Sequence, residues 1–179
     1  TRDAAVQVLG GAAAQVPRLL AALVRKSFLQ YDRQRDRYTI HELLRQYGAE
    51  KLAREPGPET RARDRHSAFY ARRLNRWQAD MVGARQHAAM LEMEAESDNI
   101  SAAWLWAVER GKVGLLDMAM EGLERFYWQS GRFRQAEAAY QAAADSAAQS
   151  AARDNPDRIT ALRVWVRALT WQSNYLRAL

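Results

Sequence analysis

The 179-residue sequence contains no cysteine, which removes disulfides, thiolate nucleophiles and most structural zinc designs. Its three histidines, His41, His66 and His87, stand too far apart to form a recognisable metal-binding motif. No apolar run approaches the roughly 18 residues of a membrane span. Nothing resembles a secretory signal either, so no membrane contact is expected and a soluble, cytoplasmic protein is. The phosphate cradle G-x-x-x-x-G-K-S/T occurs nowhere: Gly10-Gly11 leads into alanines with no lysine partner. Without it the chain is expected to be non-enzymatic. Lysine is scarce as well, with 24 arginines among the 27 basic residues.

What is present suffices for a core. The composition is 48% hydrophobic with six tryptophans, enough for one or two domains. A net charge of +6 suggests nucleic acid, yet the charge is spread. Basic and acidic residues number 10 and 7 in residues 1–60, 8 and 7 in 61–110, and 9 and 7 in 111–179. Only Arg61 to Arg76 is lopsided, with six arginines against Asp64. That stretch reads as a solvated helix face or as a patch for a polyanion or partner. Glu92, Glu94, Glu96 and Asp98 invite an acid–base or calcium reading, but alternate residues of a helix diverge, and a solvated helix end is the expectation.

Taken in order, Ala13 to Lys26 predicts a helix with Val16, Leu19, Leu20, Leu23 and Val24 on one face and Pro17 in its first turn. Ser27 to Tyr31 and Arg37 to Ile40 alternate about a polar loop and predict two short strands. Helical spacing returns from His41 to Ala53. The run Glu55-Pro56-Gly57-Pro58-Glu59 predicts a helix break and a domain boundary. Helices are then expected over Arg65 to Met81, Gln86 to Ala95 and Ile100 to Glu109, the last capped by Ser97-Asp98-Asn99 and ended by Gly111.

Leu116, Met120, Leu123 and Tyr127 before Gly131, and Phe133, Ala136, Tyr140 and Ala143 after it, keep one helical period on each side of a single glycine. This predicts an αα-hairpin in which Gly131 takes a left-handed conformation and small Ala136 permits close approach. Trp128-Gln129-Ser130-Gly131 recurs as Trp171-Gln172-Ser173-Asn174 about 43 residues later, which predicts a second copy with Asn174 in the glycine's place. Leu179 would then lie inside that second hairpin, with the helical array continuing beyond it.

The hairpin resembles a tetratricopeptide repeat, with Gly131, Phe133, Ala136, Tyr140 and Ala143 in its second-half pattern and Glu124 where that family usually has glycine. Laying the repeat on both copies puts Met118, Glu121, Arg125, Trp128 and Gln129, then Val164, Trp171 and Gln172, on the helix face that lines a solenoid groove. Aromatic and arginine side chains there would anchor a protein or small-molecule effector, although tryptophan at helical spacing is also ordinary core. Upstream, Leu23 to Leu29 followed by Arg37 to Tyr47 resembles the winged helix of bacterial signal-transduction ATPases with numerous domains (the STAND, NB-ARC type). Glu94 to Trp104 resembles the linker that follows it in the same regulators.

The resemblance implies a mainly α protein. A partial winged helix with a short β-hairpin would occupy residues 1–55, a linking helical region 56–111, and repeat-like helices 112–179. It also implies that His41, within Ile40-His41-Glu42, contacts the β-phosphate of ADP held by the parent's own nucleotide-binding domain. The parent would bind ADP or ATP; this chain would carry no cofactor itself. An imidazole near the free N–H groups of a helix start suits a phosphate, while the plain alternative for His41 is a polar helix end. The rival function is a DNA-binding winged-helix regulator with a helical ligand or dimerisation module, in which Arg33, Arg35 and Arg37 would touch phosphates.

Overall fold

The computed structural model describes residues 1–10, 15–153 and 156–179. Among them the chain is mainly helical, with nine helices and one two-stranded antiparallel sheet. It divides into two compact units, Thr1–Phe69 and Tyr70–Leu179.

In the first unit α1 spans Arg2–Leu9, capped by the Thr1 hydroxyl, which accepts from the Ala4 N–H at 3.3 Å. Helix α2 spans Val16–Arg25 with Pro17 in its first turn, where a missing N–H costs nothing. The expected start at Ala13 lies outside the described residues. Ser27 takes a left-handed φ of 59°, and the Phe28 N–H donates back to the Leu23 carbonyl at 2.9 Å. That closure consumes the first two residues of the expected strand, so β1 runs Leu29–Asp32 instead. Its partner β2, Arg37–Ile40, pairs Leu29 with Ile40 and Tyr31 with Tyr38, whose rings stack at 4.7 Å. The loop between them is tied by Asp32 Oδ1, which accepts from the N–H groups of Gln34 and Arg35 at 2.8 and 3.1 Å. Helix α3 follows over Glu42–Ala53.

Helix α4 spans Pro56–Asp80, and the boundary between the units falls within it. The break expected across residues 55–59 is therefore confined to Arg54–Glu55. Pro56 and Pro58 open α4 because the first helical turn needs no N–H donors from them.

The second unit continues with α5 over Gln86–Ala95, α6 over Ser97–Glu109, α7 over Val113–Ser130, α8 over Phe133–Ala151 and α9 over Arg158–Ala178. Helix α6 begins at Ser97, so the expected capping residues lie in its first turn. Of the carboxylates placed on a solvated helix end, Asp98 is exposed as expected, while Glu92, Glu94 and Glu96 are engaged. Glu96 is buried and accepts from the Tyr70 hydroxyl at 2.6 Å and from Asn99 Nδ2 at 2.7 Å; Glu92 accepts from Trp77 Nε1 at 2.9 Å; Glu94 pairs with Arg132. Burying a carboxylate is tolerated only with such donors.

Gly131 ends α7 at φ 67°, ψ 20°, and the Arg132 N–H donates to the Tyr127 carbonyl at 3.0 Å, closing the turn into α8. A β-carbon on Gly131 would meet nothing within 4 Å, so the need for glycine there is conformational. Gly122 is the opposite case: a β-carbon would fall 2.2 Å from the Leu74 carbonyl oxygen, so α7 lies directly on the backbone of α4. Helix α9 packs along α8 and α7, and α6 packs on α7 and α8. Ala136, Ala143, Ala144 and Ala147 of α8 are buried, as are Ala161, Val164 and Ala168 of α9, because small residues let helix axes come close. Tyr140 is buried among them, and its hydroxyl donates to the Met120 carbonyl at 3.0 Å.

Candidate functional site

Two faces of α7 and α9 converge on a groove of about 400 Å³ lined by Glu124, Arg125, Trp128, Gln129, Trp171, Asn174, Tyr175 and Arg177. Of the predicted effector contacts, Arg125, Trp128, Gln129 and Trp171 lie together in it. Gln172 does not. Its side-chain amide donates across to Glu137 Oε1 at 3.2 Å and to Gln141, so it ties α9 to α8. One residue beyond Trp171, a helix has turned by about 100 degrees, enough to move the side chain from groove to interface.

The floor is aromatic. Tyr175 is buried, stacks nearly parallel on Tyr140 with ring centres 5.9 Å apart, and donates its hydroxyl to the Glu124 carbonyl at 3.0 Å. Burial pushes that hydroxyl's pKa far above its ordinary value. Trp128 touches Tyr175 and Phe133 at 5.9 and 5.5 Å and remains 51% exposed. Trp171 meets Tyr140 edge-on at 5.3 Å and carries the Arg167 guanidinium 4.8 Å over its ring.

These contacts explain why the second copy departs from the first. Asn174 was expected to cap a helix as Gly131 does, but α9 continues through it to Ala178. Continuing the helix is what places Tyr175 against Tyr140, while a left-handed asparagine would forgo that burial and carry the steric cost of its β-carbon.

Charged residues beside the groove form a ladder. Asp117 takes Arg163 at 3.0 Å and Arg167 at 3.3 Å; Glu121 takes Arg167 at 3.5 Å and Arg125 at 3.2 Å. Arg125 Nε is buried without a hydrogen-bond partner among the described residues. Burial raises the Glu124 carboxyl pKa, Glu121 adds to that, and Arg125 opposes it. Glu124, Asn174, Tyr175 and Arg177 were not foreseen as lining residues; the only sequence signal for Glu124 was a charge where the repeat pattern has glycine.

In the first unit His41 is the N-cap of α3, exposed, with Nδ1 accepting from the Leu43 N–H at 3.3 Å. A ring accepting at Nδ1 carries its proton on Nε2 in the neutral form. Glu42 is held by Arg45 at 2.6 and 2.7 Å and by Gln46 at 2.9 Å, and those donors lower its pKa to about 2. Arg35 in the loop lies 3.8 Å from Asp32, while Arg33 shares the loop and Arg37 opens β2.

The described residues thus form a mainly helical protein whose second unit bears an aromatic and basic groove. No family model, no characterised protein and no solved structure matches the chain. Among the described residues no helix is long and apolar enough to cross a membrane. Among them, too, no group of three His, Cys, Asp or Glu residues is placed to hold a metal ion.

Proposed function

We propose that this chain is the sensing region of a signal-transduction ATPase of the STAND type, non-enzymatic itself. Its tetratricopeptide-like helices take an effector, and a winged-helix portion stabilises the ADP-bound off state of the regulator's own nucleotide-binding domain. The observation that carries the first part is the meeting of Arg125, Trp128, Gln129 and Trp171 in one groove. Three aromatic side chains beside convergent charged and amide groups supply the apolar surface and polar anchors that a ligand site combines. Further support is the packing order, in which α7 and α9 are neighbours and α8 backs both, as in stacked helical pairs. His41 suits the second part because its cap bond leaves Nε2–H as the donor available to a phosphate oxygen.

The test uses the full regulator. Trp128→Ala is expected to lower the response to effector at least tenfold while far-UV dichroism stays unchanged. His41→Ala is expected to raise basal output. A normal response from the first variant rejects the groove, and an unchanged basal level from the second rejects nucleotide sensing.

A further inference from the structure

We propose that the groove between α7 and α9 takes a small planar aromatic carboxylate, its ring against Trp128 and Trp171 and its carboxylate on Arg125 and Arg177. This rests on the reading of the groove as the ligand site and adds the chemical class of the ligand. Its volume of about 400 Å³ is in the range of small-molecule sites. The half-exposed Trp128 indole beside buried Tyr175 offers a flat apolar face to whatever enters.

Charge selects among ligands of that shape. Arg125 and Arg177 line the groove against the single carboxyl of Glu124, so a cationic ligand would meet an excess of like charge. Arg125 is also the group with unused capacity. One of its terminal nitrogens, Nη2, reaches Glu121, while Nε, on the same edge of the fork, is buried and has no acceptor among the described residues. A guanidinium offers a carboxylate its Nε–H and the neighbouring terminal N–H in parallel, so a ligand carboxylate would take that edge over from Glu121. Turning Arg125 toward a ligand would not strand Glu121, which keeps Arg167 at 3.5 Å. A neutral ring would leave the Nε donor as it is.

Calorimetric titration with 2-naphthoate, 2-naphthamide and 2-naphthylmethylamine separates the contributions, since the three share one ring and differ in charge. The carboxylate is expected to bind about tenfold tighter than the amide, the amount a charge-assisted hydrogen bond supplies, and the amine weakest. Arg125→Met should bring carboxylate and amide to within about twofold with the amide unaffected, and Arg177→Gln should narrow the gap in part. An amide that binds as well as the carboxylate, or a preference that survives both substitutions, overturns the carboxylate assignment and leaves the groove reading standing. No binding of any probe at millimolar concentration, or binding undiminished in Trp128→Ala, overturns both. If Arg125→Met loses helical dichroism, Arg177→Gln alone decides.

Discussion

The two units spend similar residues in different ways. In the second unit Leu116, Met120, Leu123, Phe126 and Tyr140 are all essentially closed to solvent. In the first, Leu43 and Tyr47 keep the same helical spacing on α3, yet Leu43 is 68% exposed and no residue of α3 is buried. Spacing therefore creates an apolar face, and burial needs an opposing one. In the second unit that opposing face is made of alanines, which let α8 and α9 approach until the larger rings interlock. The first unit buries Val16, Leu20 and Phe69, but its hairpin and α3 are ordered by local devices: the Ser27 turn, the Asp32 loop clasp and the His41 cap.

Truncation should expose this contrast most sharply. Tyr140→Ala removes a fully enclosed ring together with its bond to Met120 and is expected to cost ~3–5 kcal/mol. Leu43→Ala is expected to change stability by less than ~0.5 kcal/mol. Urea titration followed by dichroism measures both; equal effects would erase the distinction between the units.

Gly122 within α7 and Gly131 at its end separate crowding from backbone conformation. Gly122→Ala drives a β-carbon toward the Leu74 carbonyl and should destabilise by ~1–3 kcal/mol, because backbone cannot step aside like a flexible side chain. Gly131→Ala has open space and strains only the left-handed φ, costing ~1–2 kcal/mol, and Gly131→Asn should cost less. Thermal melts of the three variants check the ranking. If Gly131→Asn melted with Gly131→Ala, the strain account of that turn would be wrong.

Much of this architecture is written in short-range patterns. The bounds of α5 and the left-handed turn at Gly131 are legible because each depends on residues within a few positions. So is the convergence of Arg125 with Trp128 and Gln129, since positions three and four apart share a helix face. What escapes is decided at a distance. Asn174 stays helical because Tyr140, 34 residues away, rewards it, and Glu96 is buried because Tyr70 and Asn99 supply donors. Gln172 turns from the groove because Glu137 and Gln141 wait on α8. Ser27 is a separate failure: a left-handed serine carries no local mark that distinguishes it from a strand residue.

The smallest predicted effect probes the local devices of the first unit. Glu42 stands in the first turn of α3, where a carboxylate favours the helix dipole, and Arg45 and Gln46 lower its pKa to about 2 from 4.5. A depressed carboxylate contributes stability above its unfolded value and loses it as pH falls through the folded one. The contribution of Glu42 to the N-terminal turn of α3 should therefore fade progressively between pH 4.5 and pH 2. Because the pair is fully exposed, that contribution should shrink further in high salt. Backbone carbon shifts of Leu43 and Leu44 follow it by NMR, referenced to those of Leu123, which is buried in α7. In Glu42→Gln the same shifts should already sit at their acid values at pH 5 and stay flat on acidification. If the shifts in Glu42→Gln still moved with the wild-type midpoint, the titration would belong to another group and α3 would be left without its electrostatic latch.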